Sequence, residues 1–187
     1  MQQRHANLKH QAIDMATQRI VETGLQGLNA RFIAKAIGCS VGTLYNVFKN
    51  IDFLIFEVNM RTLVTLEKQL QKTHDLSEII TCYIDYAANN QNLWSTLFEH
   101  RFSNPNDTPS DYYNKRENLF HILEQSIAAK KPALSQHQVA LEARALWAGA
   151  HGICSLMLNN KLSDDGFKPQ DIANTLISKF DPQGAQQ

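Results

Sequence analysis

Residues 28–54, LNARFIAKAIGCSVGTLYNVFKNIDFL, decide the fold. Asn29 can cap a helix, and Ala30, Ile33, Ala34 and Ile37 follow it as one apolar stripe at helical spacing. Gly38 suits a helix stop in the left-handed conformation that other residues avoid. Ser40 can cap the next helix, whose stripe is Val41, Leu44 and Phe48. A third helix starts at once. Two short helices crossing at a glycine turn are the frame of a helix-turn-helix, which places its second helix in the DNA major groove. The same spacing also fits a helical hairpin that binds nothing.

Outward from this stretch, apolar residues recur every three or four positions nearly everywhere, and no strand-type alternation or internal repeat occurs. A first helix is expected over about residues 7–23, with Ile13, Ala16, Ile20 and Val21 inward and Gly24 as its stop. A fourth runs from about residue 50 to 72 on Leu54, Val58, Leu63, Leu66 and Leu70, reaching from head to body. Asp75 and Glu78 resemble a capping box that opens a fifth through Tyr83, Ile84 and Ala87. A sixth carries Leu93, Trp94, Leu97 and Phe98, and SNPNDTPSD (103–111) is the clearest loop. A seventh spans about 111–129. Ser135 and Gln138 open a long eighth to about residue 160, and Pro169 suits the first position of a ninth. LSDDG (162–166) is a break, and DPQGAQQ (181–187) a frayed tail. The expected class is all-α: nine helices, split into a head (1–52) and a body (53–187).

Composition narrows the function. The 187 residues are 43% hydrophobic and 19% charged, enough for a real core and too apolar for disorder. There is no apolar run long enough for a membrane span, and MQQRHANLKH lacks the apolar core of a signal peptide. Cys39, Cys82 and Cys154 are scattered and lack metal-ligand spacing, which fits a reducing cytoplasm. Formal net charge is zero, an argument against a nucleic-acid binder. The distribution tempers it. Residues 1–52 hold Arg4, Lys9, Arg19, Arg31, Lys35 and Lys49 against Asp14, Glu22 and Asp52, a basic head on an acidic remainder.

The run IAKAIGCSVGTLYNVFKN resembles the DNA-binding segment of the tetracycline-repressor (TetR) family of bacterial regulators. Ile33, Ala34, Gly38, Ser40, Gly42, Thr43, Leu44, Tyr45, Phe48 and Leu54 match the family pattern position by position. The nine helices divided three plus six resemble its architecture, and Trp147, His151 and Gly152 resemble its Trp-His-Gly type of C-terminal domain. Two positions depart: Val47 stands where the family has His, and Ile51 where it has Lys. Both family residues commonly face phosphate, so their loss throws weight onto Lys49.

The resemblance implies Arg31, Thr43, Tyr45 and Lys49 as phosphate contacts. The N–H groups after Ser40 offer a phosphate seat, and Gly42 lets the backbone approach the groove. Asn46 has amide chemistry that reads adenine, or is a solvated helix residue; Val41 packs inward or touches a thymine methyl. The partner is then a double-stranded operator, palindromic for a two-fold protein.

The eighth helix is apolar nearly all round. One stripe is Trp147, His151, Cys154 and Leu158; another is Leu141, Ala145, Ala148, Gly152 and Leu156. Such a helix is buried on both sides. Ala145, Ala148, Gly149, Gly152 and Leu156, with Ile172, Leu176 and Phe180 of the ninth, are the candidate homodimer seam; one large monomer core is the competing reading. Trp94, Phe98, Phe120, Trp147 and His151 are candidate ligand contacts for a small hydrophobic or aromatic effector, with His100 and His121 as further orienting groups; simple core packing is the competing reading for each. No di-iron ligand pair, phosphate loop or Cys–His grouping is legible, so no enzyme, metal or cofactor is expected. The expected function is a ligand-released, homodimeric repressor. The alternatives are a TetR-like DNA binder acting through protein partners, and a ligand-binding bundle that has lost DNA binding.

Overall fold

The structure, a computed structural model, describes residues 2–162 and 166–181. Among these residues there are nine α-helices and no strand: α1 (Gln2–Thr23), α2 (Ala30–Ala36), α3 (Val41–Phe48), α4 (Ile51–Leu70), α5 (Leu76–Asn89), α6 (Gln91–Glu99), α7 (Ser110–Lys130), α8 (Gln136–Leu158) and α9 (Pro169–Phe180). Two single 3-10 turns, Leu25–Gly27 and Pro105–Asp107, join them. The frayed tail expected at the C-terminus lies, apart from Asp181, outside the described residues, as does the middle of the 162–166 break. No helix of the described residues is long and apolar enough to cross a membrane.

The helix ends form where capping chemistry places them. The Asn29 side chain accepts the Phe32 N–H, and that of Ser40 accepts the Thr43 N–H. Gly38, at φ 71°, closes α2: its own N–H donates to Lys35 and the Cys39 N–H to Ala34. Ser135 and Gln138 form a reciprocal capping box on α8. Asp75 accepts the Glu78 N–H, while Glu78 reaches back to the His74 N–H.

The chain packs as two compact units: Met1–Val64 with Asn90–Tyr112, and Thr65–Asn89 with Tyr113–Gln187. In the first, Ala12, Ile13, Ala16 and Ile20 of α1 meet Ile33 and Ala34 of α2, Leu44 and Phe48 of α3, and Leu54 and Val58 of α4. Burying a side chain such as Leu44 or Phe48 contributes about 1.5–3 kcal/mol. Asn92 of α6 donates to the Val21 carbonyl, tying α6 to α1. Val21, which the apolar pattern places inward, is exposed, because the adjacent Ile20 takes the core position.

In the second unit α5, α8 and α9 pack on one another. Val139, Ala143, Leu146, Ala150, Ile153 and Cys154 form the buried stripe of α8. A Cβ on Gly149 would sit 2.6 Å from the tip of Leu176, so the missing side chain lets α9 close onto α8. Arg144 bridges to Glu117 and Glu124, and Lys131 to Glu142, joining α7 to α8.

Candidate nucleic-acid interface

The geometry of α2 and α3 follows from the core beneath them. Leu44 and Phe48 anchor α3 on α1 and α2, so the remaining face must point away from the core. That face carries Gly42, Thr43, Tyr45 and Asn46, all exposed; Arg31 is exposed on α2, Ser40 at the cap, and Lys49 directly after α3. A Cβ on Gly42 would meet only the Ser40 hydroxyl, so the backbone there is open to a close approach. Val41 is half-buried and packs on the core edge, which favours the inward of its two readings. Its neighbour Ser40 is committed to the cap, and its hydroxyl also pairs with that of Thr43 at 2.8 Å.

The two departures from the family pattern have a structural role. Val47 and Ile51 are half-buried and pack against the core of the first unit. Side chains expected to face phosphate are here apolar and point to protein.

Lys49 has an unusual backbone. At φ 59° and ψ −51° it occupies a region side chains rarely adopt. The Asn50 N–H donates to the Phe48 carbonyl at 2.5 Å across it, a γ-turn with Lys49 at its centre. This sharp turn lets α4 begin at Ile51, where the Asn50 side chain accepts the Phe53 N–H. The Lys49 ammonium lies 3.0 Å from the Asp107 carboxylate and 5.1 Å from the centre of the Phe53 ring.

A second group is not legible in the sequence. Asp52, in the first turn of α4, is buried. It accepts the Ser103 N–H at 3.0 Å, the Ser103 hydroxyl at 2.7 Å and a bond from His100 Nε2 at 3.3 Å. Burial pulls the Asp52 carboxyl upward, but the Ser103 bonds and His100 outweigh it and hold the group below the ordinary carboxylate value. Burial lowers His100 below its ordinary value against the opposing pull of Asp52. Phe102 packs on both His100 and Phe53. His100, weighed from sequence as a ligand-orienting group, is thus occupied with Asp52. The only prior signal is an acid at a helix start, and nothing in sequence links it to a serine 51 positions away.

The candidate ligand contacts fall in different units. Trp94 and Phe98 are in ring contact on α6 in the first. Phe120, Trp147 and His151 belong to the second: Phe120 meets Trp147 edge-on, Trp147 stacks on His151, and the Tyr83 hydroxyl lies 3.3 Å from His151 Nδ1. Burial lowers His151 and pushes the Cys154 thiol up to about 12. His121 is exposed beside Gln125 and Glu124.

Of the candidate seam, Ala145, Ala148 and Leu156 are exposed, in line with Leu141. Gly152 has open space where a Cβ would be. Gly149 faces Leu176 of its own chain, and Ile172, Leu176 and Phe180 are half-buried.

A family model described as the tetracyclin repressor-like C-terminal domain matches residues 76–180. A regulatory protein designated SCO4313 shares the fold at a TM-score of 0.80 and 17% identity, over 97% of this chain and 98% of that one. The TetR-family transcriptional regulator PfmR from Thermus thermophilus aligns at 0.57 and 15% identity, over 91% and 95%. FadR from Bacillus subtilis, a transcriptional regulator solved in complex with stearoyl-CoA, aligns at 0.60 and 19% identity, over 91% and 96%. No curated protein matches the sequence.

Proposed function

Because the chain belongs to the tetracycline-repressor family of transcriptional regulators, we propose that it is a homodimeric repressor released from a palindromic operator by a small apolar ligand. The observation that carries the reading is the joint exposure of Gly42, Thr43, Tyr45 and Asn46 along the outward face of a helix whose inward face is anchored by Leu44 and Phe48, with Lys49 exposed directly after it. Tyr45, Thr43, Lys49 and Arg31 hold phosphates and fix register; Asn46 reads a base edge. Residues 1–52 do the binding and 53–187 the dimerisation and sensing.

The exposed stripe Leu141, Ala145, Ala148 and Leu156 supports the dimer. Two heads held by one two-fold axis address half-sites about 34–36 Å apart. The aromatic group Phe120, Trp147 and His151, beside Tyr83, supports an apolar effector with one polar anchor. The stearoyl-CoA bound by FadR, which shares the fold, supports the same class. Such a ligand acts by favouring a body conformation whose heads no longer fit successive grooves. The bias equals its differential affinity for the two states.

The test is a gel shift on the DNA upstream of the protein's own gene, over a range of salt. Binding should weaken steeply with salt, and Lys49→Ala should lower the salt slope by about one unit. No shift on any duplex at low salt refutes the reading.

A further inference from the structure

We propose that Asp107 acts as an internal phosphate mimic: its carboxylate occupies Lys49 until DNA displaces it, so the α6–α7 loop sets the affinity of the DNA-binding head. The inference rests on the DNA-binding reading above. With Val47 and Ile51 turned to the core, Lys49 is the cation directly after α3. Lys49 is held there by a γ-turn rather than on a flexible coil, and an unfavourable backbone at a surface residue signals a position kept for use.

Its partner is held as firmly. Asp107 lies 58 residues away in the chain, at the end of the 3-10 turn Pro105–Asp107. The loop that carries it is tied to α4 at a buried point. Ser103 gives Asp52 two hydrogen bonds, His100 a third, and Phe102 packs on Phe53. Asp52 stands three residues after Lys49, so this anchor and the ion pair fix one loop beside one turn. The carboxylate thereby sets an anionic oxygen 3.0 Å from the ammonium, the same charge-assisted contact that a phosphate oxygen makes.

Exposure makes the pair exchangeable. The Lys49 side chain is 63% exposed and Asp107 29%, so a second anion can reach the ammonium from solvent. Exposed pairs of this kind are weak, and DNA phosphate can displace one; the displacement lowers affinity about two- to fivefold. The loop tunes binding without touching a base, leaving sequence preference to α3.

The experiment is a four-way comparison of wild type, Asp107→Asn, Lys49→Ala and the double variant, titrated with one labelled operator duplex at low salt. Circular dichroism checks the fold of each. Asp107→Asn is expected to bind about two- to fivefold tighter than wild type. In the Lys49→Ala background the gain should vanish, because no ammonium remains to unmask. Equal binding of Asp107→Asn and wild type overturns the proposal. So does an undiminished gain without Lys49, which would be simple relief of charge repulsion. Failure of wild type to bind any duplex is a separate result, and it removes the DNA-binding reading along with the proposal.

Discussion

The helices α3 and α8 are built alike on one side and oppositely on the other. Each buries an apolar stripe: Leu44 and Phe48 on α3, and Val139, Ala143, Leu146, Ala150, Ile153 and Cys154 on α8. Their exposed faces differ. That of α3 offers Thr43, Tyr45 and Asn46, while that of α8 offers Leu141, Ala145, Ala148 and Leu156. A polar exposed face is satisfied by water and can exchange water for a polyanion. An apolar exposed face about four turns long is satisfied only by another apolar surface. One helix is therefore suited to reversible contact, the other to a lasting one.

The largest effect is expected from giving the α8 face a charge, as on a polar helix. Ala148→Glu places a charge at the centre of the exposed stripe, where one chain alone tolerates it. In a dimer the two-fold axis brings two such charges into the seam, each costing on the order of 3–5 kcal/mol when unpaired. Sedimentation should show monomer at concentrations where wild type is dimeric, with unchanged far-ultraviolet dichroism and lost operator binding. A dimer that survives the substitution places the seam elsewhere.

A smaller effect separates charge from backbone at the end of α3. Lys49→Ala and Lys49→Gly both remove the ammonium, so both should weaken DNA binding equally. Only glycine adopts φ 59° without strain. The glycine variant should be the more stable by about 1 kcal/mol in urea unfolding. Equal stabilities would mean the γ-turn is not strained in solution.

The parts of this architecture set by neighbouring residues were legible in sequence. Asn29, Ser40, Gly38 and the Ser135–Gln138 box act on residues close in the chain, and local chemistry alone determines them. On α8 the stripe Leu141, Ala145, Ala148 and Leu156 was legible because it repeats at the helical period, and it lies open. The buried stripe Val139, Ala143, Leu146, Ala150 and Ile153 was neither of the two read from sequence, since burial depends on what α5 and α9 cover. The Asp107–Lys49 pair and the Asp52 anchor were invisible for a different reason: they join residues 58 and 51 positions apart, and no periodicity encodes such a meeting. The aromatics Trp94, Phe98, Phe120 and Trp147 stand out in the sequence by residue type, which does not say that α6 belongs to one unit and α7 and α8 mainly to the other.

The smallest effect reads the two regions through their histidines. His100 anchors the loop to the helix that follows α3, and His151 lies on α8 itself. Burial lowers both below the ordinary value of 6.5, so folding favours the neutral ring. A group with a lowered folded pKa contributes stability that is complete above the unfolded value. That contribution declines as pH falls through 6.5 toward the folded value. Unfolding free energy should therefore fall between about pH 7.5 and pH 5. His100→Gln keeps a donor for Asp52 but cannot take up a proton, so it should leave stability above the window nearly intact and flatten the decline. His151→Gln should flatten a separate share, because the two rings report on different units. The Asp52 carboxyl, held low, adds its own loss only as pH falls below 3.8, outside this window. If neither substitution changes the slope, both rings are solvated in the folded protein, and the buried anchor that holds the Asp107 loop is absent in solution.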